Sequence, residues 1–233
     1  LTAVFWDIDG TLLTTGKAGI FAWQEALARV GGVEADLREF DTAGHPDWGI
    51  ARRLLQEYTA TPEPDPATLR HMVEEYETRL PAALHRRQGR VMPNVREILV
   101  ALAEMPDVCS LLLTGNTRRG AAAKLTHYGL AECFRGGAFS EGTGDRIAIA
   151  RAALSWASQH GCRVRPGAVF VVGDTPHDIR CAHAVGARAV GVATGSYDAA
   201  ALAAAGSWRV FEQLPPAGEF LALITERERA ASD

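Results

Sequence analysis

The sequence is poor in lysine: of its 24 basic residues only Lys17 and Lys124 are lysines. Chemistry that requires a lysine therefore has two candidates. No Lys/Arg run exceeds two consecutive residues and the formal charge is -4, which argues against a nucleic-acid binder built on phosphate neutralisation. No apolar stretch approaches the roughly 18 residues of a membrane span, the longest candidates, residues 168–172 and 199–205, being strand- and helix-sized. The four cysteines, Cys109, Cys133, Cys162 and Cys181, include no C-x-x-C pair. In a domain of this size they read as free thiols of a cytoplasmic protein. Asp7 and Asp9 fall where a signal peptide would need its apolar region. Aromatics make up only 7% of the chain. The expected partner is a small molecule, with no nucleic acid and no membrane.

The 233 residues allow one large domain, or one domain with a smaller companion, at roughly 100–200 residues per domain. Short apolar runs at residues 3–6, 110–113, 168–172 and 187–192 read as buried parallel strands. Amphipathic segments lie between them, one marked by Val95, Ile98, Leu99 and Leu102, another by Ile147, Ala150, Leu154 and Ala157. The alternation predicts an α/β fold with an open, doubly wound, mostly parallel sheet. Residues 15–90 break it, carrying only helical periodicity: Ile20, Trp23, Leu27; then Ile50, Leu54, Tyr58; then Leu69, Met72, Val73, Tyr76, Leu80. The expected organisation is a core of residues 1–14 and 91–233 with an inserted α-helical subdomain, 15–90.

Three segments could carry chemistry, all at the carboxyl ends of predicted strands, where open α/β sheets bind ligands. In Asp7-Ile8-Asp9-Gly10-Thr11, residues i and i+2 project to one side, so two carboxylates can share a pocket; Asp9-Gly10 alone also reads as a turn. Thr114-Gly115-Asn116 runs into a helix containing Lys124; a hydroxyl and a helix N-terminus suit an anion, although Asn116 or Thr117 could simply cap the helix. Gly115 to Gly120 has P-loop spacing, but Ala121-Ala122 stand where Lys-Ser/Thr would follow, which excludes a P-loop. A lone lysine at the position of Lys124 would ordinarily face solvent. In Gly173-Asp174-Thr175-Pro176-His177-Asp178, Asp174 and Asp178 could both reach a cation, while Thr175, Pro176 and Asp178 also make a well-formed helix start. Together the segments supply carboxylates, a hydroxyl, a helix N-terminus and a lysine, a set suited to phosphate and Mg²⁺.

The order Asp7-x-Asp9-Gly10-Thr11, Thr114, Lys124, Gly173-Asp174-Thr175-x-x-Asp178 resembles the haloacid dehalogenase-like (HAD) hydrolase superfamily, phosphoglycolate phosphatase-like branch, over essentially the whole chain. The resemblance implies a Rossmann-like core with a helical cap and a Mg²⁺-dependent phosphatase of small phosphomonoesters. It implies Asp7 as nucleophile and Asp9 as general acid, then base, with Asp9 contacting the metal through its carbonyl. Asp7, Asp174 and Asp178 would hold Mg²⁺. Thr114, Gly115, Asn116 and Lys124, together with Gly10 and Thr11, would face the phosphoryl group. Many relatives place a lysine in a Gly-Lys-Pro loop; the region here, Gly142-Thr143-Gly144-Asp145-Arg146, has none, which turns attention to Lys124. Gly44-His45-Pro46-Asp47 stands where such phosphatases often have Gly-x-Thr-Asp. Asp9 speaks against dehalogenase and phosphonatase chemistry, whose enzymes lack that aspartate. A sugar-phosphate mutase is the alternative within the superfamily, and a non-catalytic phosphoacceptor or binding protein the alternative outside it. His45, Trp48, Arg52 and Arg53 are candidates for specificity, and either a monomer or a homodimer is compatible with a cap.

Overall fold

The computed structural model describes residues 1–142, 144–165 and 167–226. Among these, six strands form one parallel sheet in the order β5-β4-β1-β6-β7-β8. They are β1 (Thr2–Trp6), β4 (Val108–Leu113), β5 (Gly137–Ala138), β6 (Val169–Gly173), β7 (Arg188–Val192) and β8 (Arg209–Phe211). The apolar runs become strands because both sheet faces are covered. In β1, Val4 and Trp6 join one apolar cluster with Leu112, Phe170 and Val172, whereas Ala3 and Phe5 join another with Leu111, Leu113 and Val171. Helices α4 (Val95–Ala103), α5 (Arg118–His127) and α9 (Ala217–Thr225) cover the first face. Helices α6 (Arg146–Gln159), α7 (Pro176–Ala184) and α8 (Ala199–Ala204) cover the second. This is a doubly wound α/β fold. Its strand order reverses at β1, whose neighbours are β4 and β6.

Helices α1 (Ala18–Gly31), α2 (Asp47–Tyr58) and α3 (Pro66–Arg86) occupy the interval that carries helical periodicity alone. Their apolar faces close on one another, with Trp23 stacked on Tyr76 at 3.9 Å between ring centroids. The chain enters and leaves this unit through β2 (Leu13–Thr14) and β3 (Arg90–Val91), which pair antiparallel. Gly32 ends α1 with φ 67°, and Asp65 caps α3 by accepting from the N–H groups of Ala67 and Thr68.

Two expectations are corrected. Cys109 and Cys162 are joined in a disulfide, leaving Cys133 and Cys181 as free thiols among the described residues. The return of α6 along the sheet brings Cys162 beside the start of β4, with Cα atoms 6.5 Å apart, a proximity invisible in a separation of 53 residues. The buried face of α6 is also rotated: Ile149, Ala150, Ala153 and Ala157 are inside, whereas Ile147 and Leu154 are only half-buried. Arg146 opens that buried face, and the reason lies in the site it reaches.

Candidate active site

Asp7 continues the line of β1, its N–H donating to Val172 O at 3.0 Å. Ile8 is fully buried, so the two flanking carboxylates are left toward the cavity above the strand ends. The chain then turns at Gly10, with φ 82°, where a Cβ would collide with the Asp174 carboxylate. Thr11 is fully buried and its hydroxyl donates to Asp174 Oδ1 at 3.1 Å. Thr11 thus orients a carboxylate from behind, while Gly10 lines the cavity itself.

Asp7, Asp174 and Asp178 are all buried, and one ligand atom from each lies within 4.8 Å of the others. Burial, then the Asp178 charge, pushes Asp7 up to about 7. Asp174 is likewise raised, by burial first and then by Asp178 and Asp7. The opposing charge is Arg146, buried at the N-terminus of α6, which pairs with Asp178 and lies 3.6 Å from Asp7 Oδ1. Burial disfavours its charge, but Asp178 and Asp7 outweigh that and hold the guanidinium firmly protonated. One cation against three carboxylates leaves a deficit of positive charge that a hard divalent ion would fill, and oxygen-only donors suit Mg²⁺. Asp178 also caps α7, one oxygen accepting from Thr175 N–H at 3.1 Å and Thr175 Oγ1 at 2.7 Å. The helix-start reading and the carboxylate-cluster reading therefore hold for the same side chain.

On the other side of Asp9, the helix after β4 brings in Lys124. It is 4% exposed rather than solvent-facing, and donates to Asp9 Oδ2 at 2.6 Å and Asn116 Oδ1 at 2.5 Å. Asn116 Nδ2 donates to Asp9 Oδ2 at 2.8 Å and to Thr114 Oγ1 at 2.8 Å. Thr114 is fully buried beneath Asn116, and its oxygen also accepts from Asn116 N–H at 3.2 Å. Its hydroxyl proton stays available for donation. Thr117 N–H is already taken, by Asp47 Oδ2 at 2.7 Å.

Part of this constellation faces a cavity of about 610 Å³ between the sheet edge and the helical unit, while Thr114 and Asp178 lie behind its lining. Asp7, Asp9, Asn116, Lys124, Arg146 and Asp174 form its floor. Trp23, Phe40, His45, Ile50 and Tyr76 contribute from the helical unit. Of the specificity candidates, His45 lines this space, whereas Trp48, Arg52 and Arg53 do not; Arg53 instead donates to Asp41 O at 2.8 Å and covers the Phe40 ring.

Sequence reasoning named Arg146 and Asp47 only as members of segments 142–146 and 44–47 and gave neither a role in the site. The usable signal for Arg146 was its position at the end of the lysine-free segment 142–146. Asp47 sits in the first turn of α2, where an acid is ordinary, and the motif 44–47 gives no local sign of its burial.

The chain matches the family model described as haloacid dehalogenase-like hydrolase over residues 4–183. No curated protein sequence matches it. A hydrolase from Pseudomonas syringae superposes with a TM-score of 0.72 at 22% identity, covering 96% of this chain and 98% of that one. A predicted phosphoglycolate phosphatase from Haemophilus somnus 129pt gives 0.73 at 18% identity, with coverages of 96% and 97%. CbbY from Rhodobacter sphaeroides, in complex with phosphate, gives 0.71 at 19% identity, with coverages of 91% and 94%. At these identities the structural likeness is one of fold.

Proposed function

Because the chain belongs to the haloacid dehalogenase-like hydrolase family, we propose that it is a Mg²⁺-dependent phosphatase hydrolysing a small phosphomonoester through an aspartyl-phosphate on Asp7. The observation that carries this reading is the convergence of Asp7 and Asp9 on one cavity floor with Asp174, Lys124 and Arg146, with Asp178 buried behind Asp7 and Asp174. Asp7, Asp174 and Asp178 would hold Mg²⁺ together with the Asp9 carbonyl. The ion would supply charge neutralisation for the phosphoryl oxygens.

In the first step an Asp7 carboxylate oxygen bonds to phosphorus and the bond to the leaving oxygen breaks, with Asp9 giving that oxygen a proton. In the second, water attacks phosphorus, Asp9 accepts its proton, and the bond to Asp7 breaks to release inorganic phosphate. Lys124 and Asn116 hold Asp9 in place through both steps. Lys124, Arg146, the Thr114 hydroxyl and the Gly115–Asn116 backbone would meet the growing charge on the phosphoryl oxygens. The helical unit, residues 15–90, acts as a cap over a core of residues 1–14 and 91–233 and excludes bulk water during transfer. A phosphoglycolate-like ester is the substrate we favour, acted on by a monomer or homodimer. No described helix is long and apolar enough to cross a membrane.

The test is phosphate release from a panel of small phosphomonoesters with and without Mg²⁺, using Asp7→Asn as the blank. Release that needs both metal and Asp7 supports the proposal. Isomer interconversion without net phosphate release supports the mutase alternative instead, and silence across the panel favours a binding role.

A further inference from the structure

Asp47 is the first residue of α2 and belongs to the helical unit, yet both its polar groups are spent on the opposite side of the cavity. Its N–H donates to Gly115 O at 2.7 Å, and its carboxylate accepts from Thr117 N–H at 2.7 Å. The backbone of the helical unit comes so close here that a Cβ on Gly115 would stand 3.0 Å from Pro46 Cα and 3.1 Å from His45 O. A second close approach lies alongside, where a Cβ on Gly144 would sit 3.5 Å from Gly49 Cα. Glycines on the facing loops thus admit the start of α2.

The engaged loop, residues 114–117, feeds directly into α5, which carries Lys124. Thr117 already caps α5 with its own hydroxyl, accepting from Gly120 N–H at 3.0 Å. The Asp47 carboxylate is therefore a further cap, supplied from 70 residues away. Helix stability gives no reason to bury it: an exposed acid in the first turn of α2 would meet the same helix dipole without desolvation. We propose that Asp47 is a clasp that locks the helical unit onto loop 114–117 and thereby positions Asn116 and Lys124 against Asp9. When the helical unit lifts, both bonds break together; when it closes, the loop and its lysine are set at the moment water is excluded. Asp47 is thus a positioning residue, and the kinetic part of this inference rests on the phosphatase reading.

The test combines turnover with amide hydrogen exchange over loop 114–117 in the full chain. Asp47→Ala should lower kcat about 10–100-fold and speed exchange at Thr117 by at least about tenfold, whereas Asp47→Asn, which keeps an acceptor oxygen, should restore both to within about threefold of wild type. Should Asp47→Ala fail to fold, Thr117→Pro removes the donor instead. Thr117 has φ -64°, which proline adopts, and Thr117→Ala serves as the control that keeps the N–H. Unchanged kcat in Asp47→Ala overturns the proposal whatever the exchange shows. A defect in Asp47→Asn equal to that of Asp47→Ala, with wild-type exchange in both, also overturns it by assigning the effect to charge. If the wild-type chain hydrolyses no phosphoester, the phosphatase reading fails separately, and exchange in Asp47→Ala still decides whether the clasp exists.

Discussion

Lys124 Nζ lies 2.6 Å from Asp9 Oδ2, joining residues 115 apart in the chain, and it also donates to the Asn116 side chain that itself holds Asp9. A buried lysine with both partners at the site has its rotamer fixed in this closed arrangement. Asp9 is half-exposed at the cavity, so one end of this pair is rigid and the other open to the reactant.

Replacing Lys124 by Ala should therefore act on the chemical step more than on binding. We expect kcat to fall about 10²–10³-fold with a smaller change in KM, the scale for removing one preorganised charge-stabilising group. Steady-state kinetics on whichever ester the panel identifies checks this. A rate within threefold of wild type would return Lys124 to a packing role.

Asp178 separates two magnitudes. Loss of a helix cap alone costs about 0.5–2 kcal/mol, whereas leaving a buried partner charge unpaired costs about 3–5 kcal/mol. Asp178→Ala removes the cap of α7 and strips Arg146 of its main partner, so the larger figure should dominate urea unfolding. The same variant should require at least about tenfold more Mg²⁺ for half-maximal turnover, since second ligands contribute on that scale. A loss confined to the capping range with unchanged Mg²⁺ dependence would reduce Asp178 to a helix start.

Asp47 makes stability depend on pH. Burial raises its carboxyl to about 7, against the lowering influence of Lys124 and the Thr117 N–H, with Asp9 and Glu77 adding to the rise. Between about pH 4 and 7 the folded chain keeps a proton that the unfolded chain has lost, so this residue's contribution to stability falls as pH rises across that window and is flat above it. Asp47→Asn removes this residue's share of the slope and leaves that of Asp7 and Asp174 in place. It should melt several degrees above wild type at pH 8, with the gain shrinking toward pH 4; equal thermal midpoints at both pH values would contradict the buried, ionisable carboxyl.

The Cys109–Cys162 pair predicts a thiol count. Under non-reducing denaturation, two of the four cysteines should react with a thiol reagent, and all four after reduction. Cys109→Ser with Cys162→Ser should lower stability by about 2–4 kcal/mol, the usual return from closing a loop of this length. Four reactive thiols in the unreduced protein would show the pair to be open.

The sheet was legible because a strand buried on both faces must be apolar at every position, and residues 3–6 and 168–172 announce this without ambiguity. Asp7, Asp9 and Asp174 were legible for the complementary reason, as carboxylates where such runs stop. What the chain hides is proximity across the fold. Arg146 turns the buried face of α6 toward Asp7 and Asp178, so the helix follows its arginine and leaves Ile147 half-exposed. Asp47 and the cysteine pair are likewise decided by what lies opposite them in space, and periodicity carries no record of that.

The antiparallel pairing of Leu13 with Val91 and Thr14 with Arg90 brings the entry and exit of residues 15–90 side by side. Topologically those residues form a single excursion from a two-stranded stem, and a two-residue turn could close the stem in their place. The helical unit is thus inserted at one point of the chain and leaves the threading of the sheet untouched, and any replacement for it would have to supply its own contact to loop 114–117 in place of Asp47.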